Sequence, residues 1–217
     1  MIFDLPTLTL CAGIVFLLSL GMNLVRKNTT LMGLYILQSL TVALALLTQG
    51  LEEGASGLLF AALLTLIVKV FIAPAFLGRL IRTYSIHFSA ASYLSTPLTL
   101  LALASITGFS YLVSSRLLGE GLSTSIPLLF AGVFGAFFLM INRRGTLSIV
   151  LGVLSLENAV VLLATTLGTT HTFALEFTVS FDIAVWIVIA SAFLGMLYRE
   201  FGVVDTGRAV SKLTEDE

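Results

Sequence analysis

The chain has 217 residues, 58% of them hydrophobic and 11% charged, with a formal net charge of −1 and a mean hydropathy of +1.07. A globular soluble domain carries about twice that charged fraction, so a soluble fold is the first class excluded. The near-neutral balance gives no reason to expect nucleic acid as a partner. The single cysteine, Cys11, can neither close an internal disulfide nor ligate an iron–sulfur cluster alone.

The charges cluster at intervals, and apolar runs fill the stretches between them. Each run is long enough, at about 1.5 Å per helical residue, to cross a hydrocarbon layer of about 30 Å. The expected fold is therefore all-α, a polytopic membrane protein of about seven transmembrane helices in one integral domain, 1–217. In chain order the predicted spans are Leu5–Val25, Leu31–Thr48, Gly57–Leu77, Tyr93–Val113, Leu122–Ile141, Leu147–Leu167 and Phe173–Tyr198. The first run does not read as a cleavable signal peptide, because it carries Asp4 in place of a basic leader and lacks a small-residue cleavage site.

Orientation follows from the basic residues. Arg26, Lys27, Arg79, Arg82, Arg143, Arg144, Arg199, Arg208 and Lys212 fall on one side, Arg116 on the other, and Lys69 inside a span. That asymmetry predicts an outside N-terminus and a cytoplasmic tail, 201–217, in a cell (inner) membrane.

Two stretches read alike. "AFLGRLIR" (75–82) and "AFLGMLYR" (192–199) are identical at six of eight positions and end the third and seventh spans. "GLYILQSL" (33–40) also compares with "GVLSLENA" (152–159), placing Gly33 over Gly152 and Gln38 over Glu157. Each of those follows a basic pair. The economical reading is two parallel three-helix repeats, 1–82 and 122–200, joined by a linking helix with its loops, 83–121. Chance similarity between apolar helices is the competing account.

The polar residues at depth carry the chemistry. Gln38 is central in the second span, Lys69 in the third and Glu157 in the sixth. Asp182 lies a little outward of the centre of the seventh, and Glu176 near its outer entrance. An ionisable group at a helix centre costs about 2.5–3.5 kcal/mol or more. Glu157 reduces that cost by staying protonated or by pairing with a cation, and Lys69 is the only cation inside a predicted span. A Lys69–Glu157 pair is thus the leading arrangement, although such a pair can also be a static tie between helices. Gln38 and Asn158 suit interhelical hydrogen bonding. Pro74, five residues after Lys69, removes a backbone donor and crowds the preceding turn, which predicts a loosened hinge there.

No phosphate-binding loop, dinucleotide fingerprint, HExxH or GxSxG sequence is present, so the chain reads as non-catalytic by itself. His87 and His171 fall in loops on opposite predicted sides, which argues against a metal site built from this chain alone.

The constellation resembles the hydrogenase-4 component E family, membrane subunits of formate-hydrogenlyase-type, group 4 [NiFe]-hydrogenase complexes. "YILQSL" (35–40) is similar to that family's Y-x-x-Q-S-L stretch, and "KVFIAP" (69–74) to its Lys-Val followed by proline. "LEN" (156–158) resembles its M-E-N after the matching Gly152, Glu176 and Asp182 repeat its E-x5-D spacing, and "FGVVD" (201–205) resembles its H-G-T-L-D tail. Through Gly152, Asn158 and Ala159 the second unit also resembles the small three-helix subunit of respiratory complex I and the C subunit of Mrp-type antiporters. It departs from complex I where the first glutamate would lie a turn nearer the glycine; Leu154 stands there.

The resemblance implies a subunit that contributes Glu157, Lys69, Asp182 and Glu176 to translocation of protons or sodium ions, with Gln38 and Asn158 in support. Electron transfer in partner subunits would drive it. The partners implied are antiporter-like and quinone-module-like membrane subunits and a peripheral hydrogenase module. The [NiFe] centre and iron–sulfur clusters would reside in those partners, with no cofactor in this chain. The alternatives are a purely structural anchor of such a complex and a subunit of an Mrp-type cation/proton antiporter.

Overall fold

A computed structural model describes residues 4–83, 92–118, 125–143 and 146–167. All the elements there are helical: α1 (Asp4–Leu24), α2 (Asn28–Glu53), α3 (Ser56–Thr65), a π-helical turn (Leu66–Ile72), α4 (Ala73–Thr83), α5 (Thr96–Leu118), α6 (Ser125–Asn142) and α7 (Thr146–Thr166). The segments α3, the π turn and α4 run on as one rod. Among the described residues six helices are long and apolar enough to cross a membrane, and they coincide with the first six predicted spans. The predicted seventh, Phe173–Tyr198, lies outside the described residues.

The helix ends depart from the hydropathy boundaries for a physical reason. α2 was expected over Leu31–Thr48 but runs from Asn28 to Glu53, because its backbone ladder continues past the last apolar residue. It stops at Gly54, whose φ of 64° is left-handed and whose N–H bonds back to the Gly50 carbonyl, a conformation that costs glycine little. In the fourth span, Tyr93 precedes the helix. Its N–H bonds to the Asn142 carbonyl, and the helix begins at Thr96 with Pro97 in its first turn, where the missing donor costs nothing.

Outward faces carry large apolar side chains. Leu10, Leu17, Leu51, Phe71, Leu101 and Ile141 are each more than 60% exposed, the inverse of a water-facing surface and the pattern of a membrane protein. Inside, α1 packs on α2 and α6, and α7 on α2 and α6. α1 and α6 run in the same direction, since the Arg143 guanidinium after α6 donates to the Asn23 and Val25 carbonyls at the end of α1. α5 is peripheral and packs chiefly on α6, with Phe109 and Phe134 ring centroids 5.7 Å apart.

Arg26, Lys27, Arg79 and Arg143 all collect at one end of the bundle, hereafter the basic end. Gly78, beside Arg79, faces Met32 near the start of α2. Glu52 and Glu53 at the end of α2, and Arg116 near the end of α5, belong to the opposite end.

At Gly50, α2 lies tight against Leu59 of α3. A Cβ there would lie 3.0 Å from the Leu59 backbone nitrogen and 2.9 Å from its Cδ2. Gly50→Ala should therefore separate the two helices and lower stability by about 1–3 kcal/mol, read as a lowered thermal midpoint of the detergent-solubilised protein.

Candidate functional site

Two apolar clusters fill the core, and a polar layer divides them. One cluster, in the basic half, includes Met22, Leu31, Tyr35, Leu139, Leu151 and Leu154. The other, in the far half, includes Cys11, Val15, Val42, Ala45, Leu129 and Leu162. Between them lie Ser19, Gln38, Ser39, Lys69, Ser155, Glu157 and Asn158, every one of them at most 2% exposed.

The layer is built from the helix register upward. On α7, Glu157 and Asn158 are consecutive, so their side chains leave the helix about 100° apart. Glu157 meets the third rod, where its carboxylate forms an ion pair with the Lys69 ammonium. Asn158 meets α2, donating from Nδ2 to Ser39 Oγ at 2.9 Å and, more weakly, to Gln38 Oε1 at 3.5 Å. Gln38 in turn donates from Nε2 to Ser19 Oγ of α1 at 2.9 Å and lies 3.5 Å from the Val15 carbonyl. The contacts run from the third rod to α7, then to α2 and α1, all at one height.

Lys69 sits in the middle of the seven-residue π turn. Pro74 accounts for the irregularity: it has no N–H to donate, and its ring crowds the carbonyl four residues back, at Val70. In the π register the Ala73 N–H bonds to the Val68 carbonyl, five residues back. The helix thus widens just ahead of the proline. The loosening expected at Pro74 takes this form, and π turns inside α-helices are frequent at functional sites. Thr65, at the last turn before it, is also buried.

A second polar group links the layer to the basic end. Asn23, one turn beyond Ser19 on α1, donates from Nδ2 to the Ser19 carbonyl at 2.9 Å and to the Gly135 carbonyl of α6 at 3.0 Å. Past it lies a cavity of about 10 Å³, lined by Asn23, Arg26, Ser92, Thr96, Thr99 and Arg143, room for about one water. Burial, and secondarily the nearby Arg26 charge, lower the pKa of Arg143, which two carbonyls at the end of α1 compensate.

Of the residues singled out from the sequence, Lys69, Glu157, Gln38 and Asn158 converge on this layer, and Pro74 lies one turn from it. Asp182 and Glu176 lie outside the described residues. Ser19, Ser39, Ser155 and Asn23 were missed. Serine is weakly polar on any hydropathy scale, and the only signal for Asn23 was its place one turn beyond Ser19 on an otherwise apolar helix. Among the described residues no three His, Cys, Asp or Glu side chains converge in a way that could hold a metal ion. No family model, curated protein or solved structure matches this chain.

Proposed function

We propose that this chain is a membrane subunit of a complex I-related, membrane-bound hydrogenase assembly. Its part is to supply mid-membrane charges to proton or sodium-ion translocation driven by electron transfer in partner subunits. The observation that carries this reading is the Lys69–Glu157 ion pair, fully buried at mid-height and seated on a π turn. A buried ion pair is a poor way to stabilise a bundle, because apolar residues of similar volume often do as well or better. An ionisable pair at that depth is better accounted for by a charge that must change.

The kind of assembly comes from the residue pattern shared with hydrogenase-4 component E. On that reading Glu157 holds the proton or charge and Lys69 favours its charged form. Asp182 and Glu176 continue toward the outer side, and Gln38 with Asn158 orients the centre. The [NiFe] centre and iron–sulfur clusters belong to partners, among them antiporter-like and quinone-module-like membrane subunits. The basic end faces the cytoplasm by the positive-inside rule, leaving the N-terminus outside the cell membrane. The two parallel three-helix repeats remain part of the proposal, supported by the side-by-side packing of α1 with α6 and α2 with α7. Ser39 and Asn158, matched when the two halves are aligned, bond to each other.

A purely structural anchor is the second reading, and the Asn158–Ser39 and Gln38–Ser19 bonds favour it, since they tie three helices without any charge. The test is to purify the tagged chain from gently solubilised membranes and identify what accompanies it by mass spectrometry. A nickel-binding redox subunit with antiporter-like subunits is the expected result. Antiporter subunits with no redox partner would replace the proposal by the Mrp-type alternative, and recovery of the chain alone would remove it.

A further inference from the structure

The buried polar atoms are not evenly satisfied. Asn23 Oδ1, Ser155 Oγ and Asn158 Oδ1 are buried without a hydrogen-bond partner among the described residues. Buried polar groups are almost always paired, and an orphan calls for a specific explanation, commonly water. Asn23 lines the cavity at the basic end, Ser19 lies one turn inward, and Asn158 and Ser155 flank Glu157 on α7. These three atoms mark both ends of one line, whose middle is the Ser19–Gln38 hydrogen bond.

The far half also holds an orphan, Gln49 Oε1, but an apolar stretch separates it from the layer. That half has a small cavity of its own, lined by Thr7, Cys11, Thr48, Gln49 and Glu52 among others. Between that cavity and the layer stand Ala12, Val15 and Val42, each 0% exposed and each in the far apolar cluster. Water entering there meets a dry plug.

We infer that water reaches Glu157 from the basic end only, along the seam between α1 and α6, past Asn23 and Ser19 to Gln38 and Asn158. The seam has room for it: a Cβ on Gly135 would touch nothing nearer than the Ser19 Cβ at 4.0 Å. Asn23 and Gln38 orient the water, and the Ser19 hydroxyl can both accept and donate. The opening fits about one water, so it excludes a hydrated metal cation by size, while a proton can pass by exchange along hydrogen-bonded water. This deepens the proposed role of Glu157 and rests on it for its purpose, by giving the carboxyl a one-sided proton exchange with the basic side.

Accessible cysteines test the route. In full-length protein carrying Cys11→Ser, single cysteines replace Asn23, Ser19, Val15 or Val42. The probe is water itself: the protein is moved into D2O, and exchange of each thiol S–H for S–D is followed by infrared spectroscopy. Asn23→Cys and Ser19→Cys should exchange at least about tenfold faster than Val15→Cys and Val42→Cys, because exchange runs through the thiolate, which only a hydrated thiol forms readily. Should Ser19→Cys fail to accumulate, Gly135→Cys reads the same seam. Equal rates at positions 19 (or 135) and 15, or faster exchange at 15 and 42, would overturn the route. Exchange reports water whatever Glu157 does, so a dry seam leaves the translocation reading standing, and a wet seam survives if that reading fails.

Discussion

Replacing Glu157 by glutamine should leave the complex assembled while ion uptake per redox turnover falls to background. Glutamine has nearly the same shape, and its amide oxygen still accepts a hydrogen bond from Lys69, so the packing of α7 against the third rod survives. The amide nitrogen cannot ionise, so the site can neither release nor recapture a proton. Lys69 then faces a neutral partner. It can lose its own proton, which removes the uncompensated charge that makes a half-broken buried pair costly. The measurement is redox turnover of the purified complex together with ion uptake in proteoliposomes. Full uptake per turnover in Glu157→Gln would leave Lys69–Glu157 as a static tie and this chain as an anchor.

Lys69→Met removes the other partner and is expected to do more damage to assembly. A carboxylate that is 0% exposed bears the full cost of its desolvated charge once its cation is gone. Breaking a buried pair from one side typically costs about 3–5 kcal/mol, whereas replacing both members can be close to neutral. Lys69→Met should therefore reduce recovery of the intact complex. Lys69→Met combined with Glu157→Gln should recover much of that loss yet remain unable to move ions. The π turn should persist in both, since Pro74 imposes it and Lys69 does not. Gel filtration of the complex and proteoliposome uptake read the two effects separately. A double variant that assembles no better than Lys69→Met would show that the two groups do not compensate each other.

The six described spans, the all-helical class and the charge asymmetry were legible in the sequence. A helix in an apolar solvent satisfies its own backbone, so the length of each apolar run is enough to locate it. Lys69 and Glu157 were legible as a pair for a related reason. Ionisable groups inside spans are so few that opposite charges at one depth have little choice of partner. The helix ends were less legible, because hydropathy marks where apolar side chains stop, while the backbone ladder of α2 continues to Glu53.

Only the tertiary structure decided how the polar residues are shared out. That Asn158 turns to Ser39 while Glu157 turns to Lys69 depends on which helices stand on either side of α7, and that is a property of packing, not of local pattern. Proline announced an irregularity after Lys69, but whether the rod would kink or widen depended on where the displaced carbonyls could find donors. The division of the core into two apolar clusters by one polar layer, with a polar seam through the basic half and a dry plug in the far half, is invisible along the chain. Serines at 19, 39 and 155 acquire meaning only when four helices bring them to the same height, because burial makes a weakly polar hydroxyl a group that must be paired.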